Sequence, residues 1–122
     1  MRVLVCGGRD YRDYEKVYSV LNSLRSEHGS IHIIEGGAQG ADCFAAEWAD
    51  MMGESHDQHN ADWKTHGRSA GPIRNRQMLV EGKPDLIVAF SGGRGTANMI
   101  RQAESAGVRV MRPEQNEPEP RN

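Results

Sequence analysis

Three short apolar segments of this chain each lead into a glycine pair. They are RVLVC (2–6) before Gly7–Gly8, IHIIE (31–35) before Gly36–Gly37, and DLIVAF (85–90) before Gly92–Gly93. Short apolar runs bounded by glycine indicate buried strands, and the run at 85–90 is typical of a central strand in a parallel sheet. Glycine after such a strand lets the backbone approach a ligand closely. The feature therefore predicts a buried sheet with one glycine-rich edge.

Helical patterns separate these strands. Apolar residues recur at a spacing of three and four in segments that cover residues 13–28, 41–52, 72–82 and the region of Met99, Ala103 and Ala106. Further strands are predicted at VRVM (108–111) and, as a polar edge strand, within 55–61. Gly29, Gly53, Gly82 and Gly107 are predicted to end the four helices as C-caps. The expected fold class is α/β, a Rossmann-like three-layer fold with a parallel sheet of about five strands and helices on both faces.

Length and composition set the domain organisation. With 122 residues, 37% hydrophobic and 26% charged, the chain has the composition of one globular domain and not of a disordered protein. We expect this domain at 1–112 and a disordered acidic tail at 113–122. The first apolar run is too short for a signal peptide, and no window is long enough to span a membrane. We therefore expect a cytoplasmic protein that does not contact a membrane.

The charge balance disfavours a nucleic-acid partner. The chain has 15 basic and 17 acidic residues, and the tail carries three Glu and one Arg, so residues 1–112 are balanced at 14 of each sign. Duplex-DNA binders show a clear basic excess. However, 12 of the 15 basic residues are arginine, whose planar guanidinium suits phosphate and carboxylate groups.

Metal and cofactor sites are not expected. Cys6 and Cys43 are too few for a disulfide or metal framework, and a buried inert thiol is the expectation for Cys6. His56 and His59 form an HxxH pair, which is too few ligands for a zinc site.

Two glycine-rich loops are the strongest candidates for ligand binding. Right-handed crossovers bring all strand-to-helix loops to one edge of a parallel sheet, where ligands of open α/β sheets bind. GGAQGAD (36–42) and SGGRGTAN (91–98) would then form a double cradle for phosphate, and neither is a Walker A or a GxGxxG motif. Tight turns between strands and helices also favour glycine without any ligand. The predicted phosphate-binding glycines are Gly7, Gly8, Gly36, Gly37, Gly40, Gly92, Gly93 and Gly95, with Thr96.

Polar and aromatic residues are predicted at the same edge. Arg9 and Asp10 either bind the ligand or form a turn ion pair, and Asp42 either binds a ribose hydroxyl or complements the dipole of its helix. In the long loop 61–78, Asp62 and Trp63 are further candidates, and Trp63 either stacks on a base or plugs the loop onto the core. Arg74 and Asn75 follow in that stretch as the last candidates.

Several stretches together resemble the SLOG superfamily, and most closely its small YspA-like (cpYpsA-related) branch. They are CGGRDYRD (6–13), IIEGGAQGAD (33–42), ADWKTHGRSAGPIRNRQM (61–78) and PDLIVAFSGGRGTANMI (84–100). The resemblance implies a Rossmann-like sheet, a nucleotide-related ligand at the glycine loops, a homodimer and a bacterial or phage origin. Better-known relatives are the LONELY GUY phosphoribohydrolases, the DNA-processing protein A group and sensors of NAD-derived signals.

The resemblance to the phosphoribohydrolases is partial. Their PGGxGTxxE motif is similar to SGGRGTANM (91–99), in which the glycines and Thr96 match but Met99 stands in place of the catalytic Glu. Their Arg-Lys pair is similar to Arg74-Asn75. The resemblance thus implies a retained phosphate cradle and arginine without the carboxylate, which would have to come from elsewhere. Arg74, Glu35 and Asp42 are the candidate catalytic residues, with Asp10 and Asp62 as other possible carboxylates.

The leading hypothesis is a domain that binds a nucleotide or nucleotide sugar, with hydrolysis of an N-glycosidic bond left open. A non-catalytic sensor or interaction module is the first alternative. Binding of single-stranded DNA is the second, and the balanced charge of residues 1–112 argues against it.

Overall fold

The computed structural model describes residues 1–114. Its centre is a five-stranded, all-parallel sheet in the order β3-β2-β1-β4-β5. The strands are β1 (Arg2–Cys6), β2 (His32–Glu35), β3 (His56–Gln58), β4 (Leu86–Ala89) and β5 (Arg109–Met111). The polar segment at 55–61 therefore contains an edge strand, as its sequence predicts. β3 pairs in parallel with β2.

Five α-helices connect the strands. They are α1 (Tyr14–His28), α2 (Ala41–Met52), α3 (Trp63–His66), α4 (Ala70–Gly82) and α5 (Arg94–Ser105), with a short 3-10 turn at Gly67–Ser69 between α3 and α4. Asp13 is the N-cap of α1, since its carboxylate accepts from the Lys16 amide at 3.0 Å. The loop 61–78 is more helical than expected, because α3, the 3-10 turn and the start of α4 all lie within it.

Two apolar cores lie on opposite faces of the sheet. Val3 and Val5 of β1 face α1 and α2, where Leu21 and Trp48 are buried against them. Leu4 of β1 points the other way and packs under α4 and α5. Alternate residues of a strand point to opposite faces, so one short apolar strand supplies both cores. The predicted three-layer α/β fold with helices on both faces is confirmed.

Two of the four predicted C-caps are wrong. α5 ends at Ser105 with Ala106 as its C-cap, and Gly107 is the residue after it. Gly82 is the last residue of α4 and not its C-cap, and Lys83 instead adopts the left-handed conformation, with φ of 49°. A Cβ atom at position 82 would lie 3.1 Å from Cδ1 of Ile34, so this glycine allows α4 to pack closely on β2. Close helix-to-sheet packing, rather than chain reversal, is therefore the role of Gly82.

The order of the strands creates a crevice between β1 and β4. From β1 the chain moves outward through β2 and β3, and then returns to place β4 on the other side of β1. Ligands of open α/β folds bind at such a switch point, outside the carboxyl ends of the strands. Here the Gly8 amide donates to the Ser91 carbonyl oxygen at 2.8 Å, which joins the loops that follow β1 and β4.

The remaining expectations on organisation concern the membrane and the tail. None of the helices in residues 1–114 is long and apolar enough to cross a bilayer. The predicted tail at 113–122 lies outside the described residues except for Pro113, which is buried, and Glu114, which hydrogen-bonds to Ser91 and Tyr11.

Candidate functional site

A cavity of about 880 Å³ lies at the switch point, above the carboxyl ends of β1, β2 and β4. The loops after these three strands form its walls, and α4 together with the start of α5 closes it from the side. Fourteen of the seventeen residues predicted for the site line it. They are Gly7, Gly8, Arg9, Asp10, Gly36, Gly37, Asp42, Trp63, Arg74, Asn75, Gly92, Gly93, Gly95 and Thr96.

Three predicted residues lie outside the cavity wall. Glu35 is buried beneath the first glycine loop. Gly40, with φ of +79°, lies so close to the loop after β1 that a Cβ atom there would collide with the Gly8 carbonyl oxygen and lie 3.0 Å from that of Arg9. Asp62 caps α3, since its carboxylate accepts from the Thr65 amide at 3.1 Å, and hydrogen bonds from the Thr65 side chain and amide lower the pKa of its carboxyl group.

The first glycine loop directs its amides at carboxylates of the chain itself. The Gly36 and Ala38 amides donate to Oδ2 of Asp42 at 3.0 and 3.4 Å, and the Gly37 amide donates to Oε1 of Glu35 at 2.6 Å. Phosphate expected at these three amides would have to displace two buried carboxylates. The first loop is thus an acidic wall, and phosphate binding at its glycines stays a prediction.

The pKa values of both carboxyl groups are raised toward neutral pH. Burial raises the pKa of Asp42 from 3.8 to about 6, although the amides of the first loop and the Arg74 guanidinium oppose the increase. Burial likewise raises the pKa of Glu35 from 4.5 to about 7, with the Gly37 amide opposing the increase and Asp42 adding to it. Oε2 of Glu35 is buried without a hydrogen-bond partner within residues 1–114.

Arg74 links the acidic wall to the opposite side of the cavity. Its Nη1 donates to the Gly36 carbonyl oxygen at 2.6 Å, and its Nε donates to Oδ1 of Asn75 at 3.0 Å. Nδ2 of the Asn75 side chain then donates to the Gly95 carbonyl oxygen at 3.2 Å and to Oδ1 of Asn98 at 3.1 Å. Asn75 therefore orients the guanidinium and ties α4 to the start of α5.

The second glycine loop leaves the beginning of α5 open to the cavity. α5 begins after Gly93, and no side chain within the described part of the chain caps its amides. Gly93, Arg94, Gly95 and Thr96 all line the cavity. The uncapped amides and the dipole of a twelve-residue helix attract an anion.

Gly92 occupies a position without room for a side chain. A Cβ atom there would lie 2.7 Å from the Gly8 nitrogen and would also collide with Oγ1 of Thr96. At Gly93, by contrast, a Cβ atom would meet nothing within 4 Å. The first glycine of this pair is required by packing at the switch point.

Trp63 is an exposed aromatic residue at the mouth of the cavity. Its side chain lies at the start of α3 and is 59% exposed, while it still lines the cavity. A tryptophan that plugged its loop onto the core would be buried, so that alternative is wrong. The exposed indole is available to stack on a base or another flat group.

Two residues near the cavity offer no reactive group to a ligand. Met99, which the sequence resemblance aligns with the catalytic Glu of the phosphoribohydrolases, is fully buried in the core beneath α5. Cys6 lies at the end of β1, and burial raises the pKa of its thiol to about 12, which keeps it protonated. Within residues 1–114, no group of three or more His, Cys, Asp or Glu is placed to hold a metal ion.

The structure adds residues that the sequence did not single out. Tyr11, Asn60 and Ser91 line the cavity, and Glu114 reaches the same loops from the segment that follows β5. Tyr11 and Ser91 stand inside the motif stretches CGGRDY and SGGRGT, so their positions in those stretches were the available signal. Glu114 had none, because no pattern connects it with β4.

Comparison with known proteins identifies the family. The family model described as "YspA, cpYpsA-related SLOG family" matches residues 1–66. The chain belongs to this family. The Gene 61 protein of Mycobacterium phage D29 is 38% identical over 119 residues, which cover 90% of this chain and 94% of the phage protein. The relationship thus extends through the second glycine loop and beyond the part that the family model matches.

Two crystal structures share the fold at low sequence identity. TM1055 superimposes with a TM-score of 0.68 at 16% identity, covering 90% of this chain and 72% of TM1055. DNA processing protein A of Streptococcus pneumoniae superimposes with a TM-score of 0.57 at 15% identity. That match covers 90% of this chain but 58% of the neighbour, so the chain corresponds to part of that larger protein. Both likenesses concern the fold.

Proposed function

We propose that this protein binds a nucleotide or nucleotide sugar in the cavity at the switch point. The observation that carries the proposal is the polarity of the cavity. An uncapped helix N-terminus forms one wall, a pair of carboxylates lies behind the other, and Arg74 reaches between them. A ligand with an anionic group at one end and hydroxyl or amino donors at the other matches this arrangement.

The phosphate of the ligand is assigned to the second glycine loop. The first-turn amides of α5 are the uncapped donors of the cavity, and Thr96 adds a hydroxyl group beside them. Arg94 stands at the same loop, and Arg9 is exposed at the facing loop after β1. These charges favour an anion.

The neutral part of the ligand is assigned to the acidic wall and to Trp63. Asp42 lines the cavity, and a carboxylate accepts hydrogen bonds from ribose hydroxyls. Trp63 offers an exposed aromatic face at the mouth, where a base would stack at a gain of about 1–3 kcal/mol. Together these groups account for recognition of a nucleoside rather than of free phosphate alone.

Binding is proposed without hydrolysis. The position that the resemblance aligns with the catalytic Glu of the phosphoribohydrolases holds Met99, which is buried within the core and offers no carboxylate to the cavity. Asp42 and Glu35 hold the first glycine loop through its amides, which is a structural use of both groups. A binding domain that senses a nucleotide therefore fits the site better than a glycosidase.

Single-stranded DNA is a second ligand class to test, because one structural neighbour is named DNA processing protein A. Residues 1–112 carry no basic excess. We expect binding of an oligonucleotide to be undetectable at physiological salt, since its affinity would depend on phosphate neutralisation.

The test is a panel of ligands measured by calorimetry, with chromatography of the same mixtures. The panel contains adenosine, AMP, ADP-ribose and a single-stranded oligonucleotide. We expect AMP or ADP-ribose to bind the wild type and to be recovered intact. Arg74→Ala should abolish binding, whereas Arg76→Ala, at an exposed position on the same helix outside the cavity, should retain it.

Each result has a distinct meaning. Release of a free base that is lost in Arg74→Ala would show hydrolysis and overturn the non-catalytic assignment. Binding of the oligonucleotide alone would favour a DNA-binding domain. Failure of every nucleotide to bind would overturn the proposal itself. Sedimentation of the same samples tests the expected homodimer, which stays a prediction.

A further inference from the structure

The carboxylate of Glu114 is bound at the second glycine loop by donors of the chain itself. Its Oε1 accepts from the Ser91 amide at 2.8 Å and from the Ser91 hydroxyl at 2.9 Å. Its Oε2 accepts from the Tyr11 hydroxyl at 3.2 Å. Three donors from the loops after β1 and β4 thus converge on one carboxylate that arrives from the end of β5.

These donors are held in place independently of Glu114. The Ser91 carbonyl oxygen accepts from the Gly8 amide at 2.8 Å, which fixes the peptide before the glycine pair. The Tyr11 ring packs against Phe90, with the ring centroids 5.3 Å apart. Burial, and then the charge of Glu114, raise the pKa of the Tyr11 phenol, so its hydroxyl remains a donor at neutral pH. The three donors are therefore a preformed receptor for an anion.

The receptor lies between two cavities that share one wall. The main cavity and a second cavity of about 470 Å³ both include Ser91, Gly92, Gly93 and Thr96. The second cavity is also lined by Arg101 and Arg112, together with Glu104 and Glu114. A ligand that occupies the main cavity can thus reach Ser91 without crossing the protein.

We propose that the Ser91 amide and hydroxyl and the Tyr11 hydroxyl form a phosphate subsite, in which the Glu114 carboxylate stands in the place of a phosphate group. Phosphate oxygens accept from the same donors as a carboxylate and carry more charge, so a phosphate group can replace the Glu114 side chain. The subsite extends the proposed nucleotide site and rests on it for the identity of the complete ligand. Its affinity for phosphate is a property that can be measured alone.

Competition with an internal carboxylate has a measurable consequence. A site that is occupied most of the time by its own side chain binds an external ligand with an affinity reduced by the fraction of time that it is free. Removal of Glu114 should therefore tighten the binding of phosphate-containing ligands by about three- to tenfold. A ligand without phosphate should bind equally well to both proteins.

The experiment follows the Ser91 amide by NMR in the uniformly labelled full chain. Inorganic phosphate, adenosine, AMP and ADP-ribose are titrated into the wild type and into Glu114→Ala. Glu104→Ala is the matched control, because it removes the same charge from the same cavity while Ser91 keeps its partner. Tyr11→Phe combined with Glu114→Ala removes one donor of the subsite and should reverse part of the gain.

We expect phosphate to shift the Ser91 amide at lower concentration in Glu114→Ala than in the wild type or in Glu104→Ala. Equal titrations in all three proteins, or no shift at Ser91, would overturn the subsite. If nucleotides bind but Glu114→Ala leaves their affinities unchanged, the proposed function stands and the subsite fails. If inorganic phosphate alone binds, and more tightly to Glu114→Ala, the subsite stands and nucleotide binding fails.

Discussion

Nη1 of Arg74 donates a hydrogen bond of 2.6 Å to the carbonyl oxygen of Gly36, which fastens α4 to the first glycine loop. The same guanidinium donates through Nε to Asn75. Its charge also partly offsets the increase that burial causes in the pKa of Asp42 and Glu35. We expect Arg74→Lys to fail in this role, because one ammonium group cannot make both bonds in a fixed geometry. Its affinity for AMP should fall at least about tenfold, or about 1.4 kcal/mol.

Calorimetry of Arg74→Lys beside Arg76→Lys measures this effect. Both variants keep the charge on α4, but Arg76 is exposed and lies outside the main cavity. Unchanged affinity in Arg74→Lys would mean that the arginine contributes charge alone and that its hydrogen bonds do not matter.

Gly92 and Gly93 should respond very differently to alanine. Gly92→Ala would place a methyl group against the Gly8 nitrogen and Thr96, so the loops after β1 and β4 must separate. We expect it to lower the free energy of unfolding by about 1–3 kcal/mol. The methyl group of Gly93→Ala would point into open space. The free energy of unfolding of this variant should stay within about 0.5 kcal/mol of the wild type. Urea denaturation of both variants tests this, and equal stabilities would contradict the packing role of Gly92.

Met99 should not tolerate the glutamate that the phosphoribohydrolases carry at this position. Its side chain is fully buried among Leu4, Ile87 and other apolar residues. An isolated carboxylate there would cost about 3 kcal/mol or more, whereas Met99→Leu should cost less than about 1.5 kcal/mol. Chemical denaturation compares the two variants. A Met99→Glu protein as stable as wild type that also releases a base would show that this position faces the ligand.

The fold was largely predictable because its strands and glycines are local signals. The continuous apolar runs at β1 and β4 and the glycines after them depend on neighbouring residues only. Even the polar edge strand β3 could be predicted, since it follows a helix and its terminal glycine. The C-cap predicted at Gly82 was wrong because the packing of α4 on Ile34 is a contact between distant segments.

The sequence predicted which residues lie at the candidate site, but not which groups they form hydrogen bonds with. The sequence placed Gly36, Gly37 and Asp42 at the correct edge, but it could not show that the loop amides donate to Asp42 and Glu35. The partner of an amide depends on the loop conformation. Glu114 was missed for the same reason, because it meets Ser91 from 23 residues away along the chain.

Glu35 should make the protein less stable as the pH rises. Its pKa is about 7 in the folded chain and near 4.5 when unfolded, so the folded state holds more protons between these values. The contribution to stability is greatest below about pH 4.5 and declines until about pH 7. We expect a loss of about 1–2 kcal/mol between pH 5 and 8 that Glu35→Gln lacks. Urea denaturation at both pH values measures it, and parallel pH profiles in the two proteins would contradict the raised pKa.

Trp63 should report ligand binding by fluorescence, because the two tryptophans of the chain have opposite environments. Trp63 is exposed at the cavity mouth, whereas Trp48 is buried and donates from Nε1 to Asn22 Oδ1 at 2.8 Å. A base stacked on Trp63 should quench its emission, and Trp63→Ala should remove this response with a stability change within about 0.5 kcal/mol. The Trp63→Ala substitution should also weaken AMP binding by about 1–3 kcal/mol. Trp48→Phe should keep the response but lose stability, since a buried ring and its hydrogen bond are removed. A ligand-dependent signal that persists in Trp63→Ala would place the base elsewhere in the cavity.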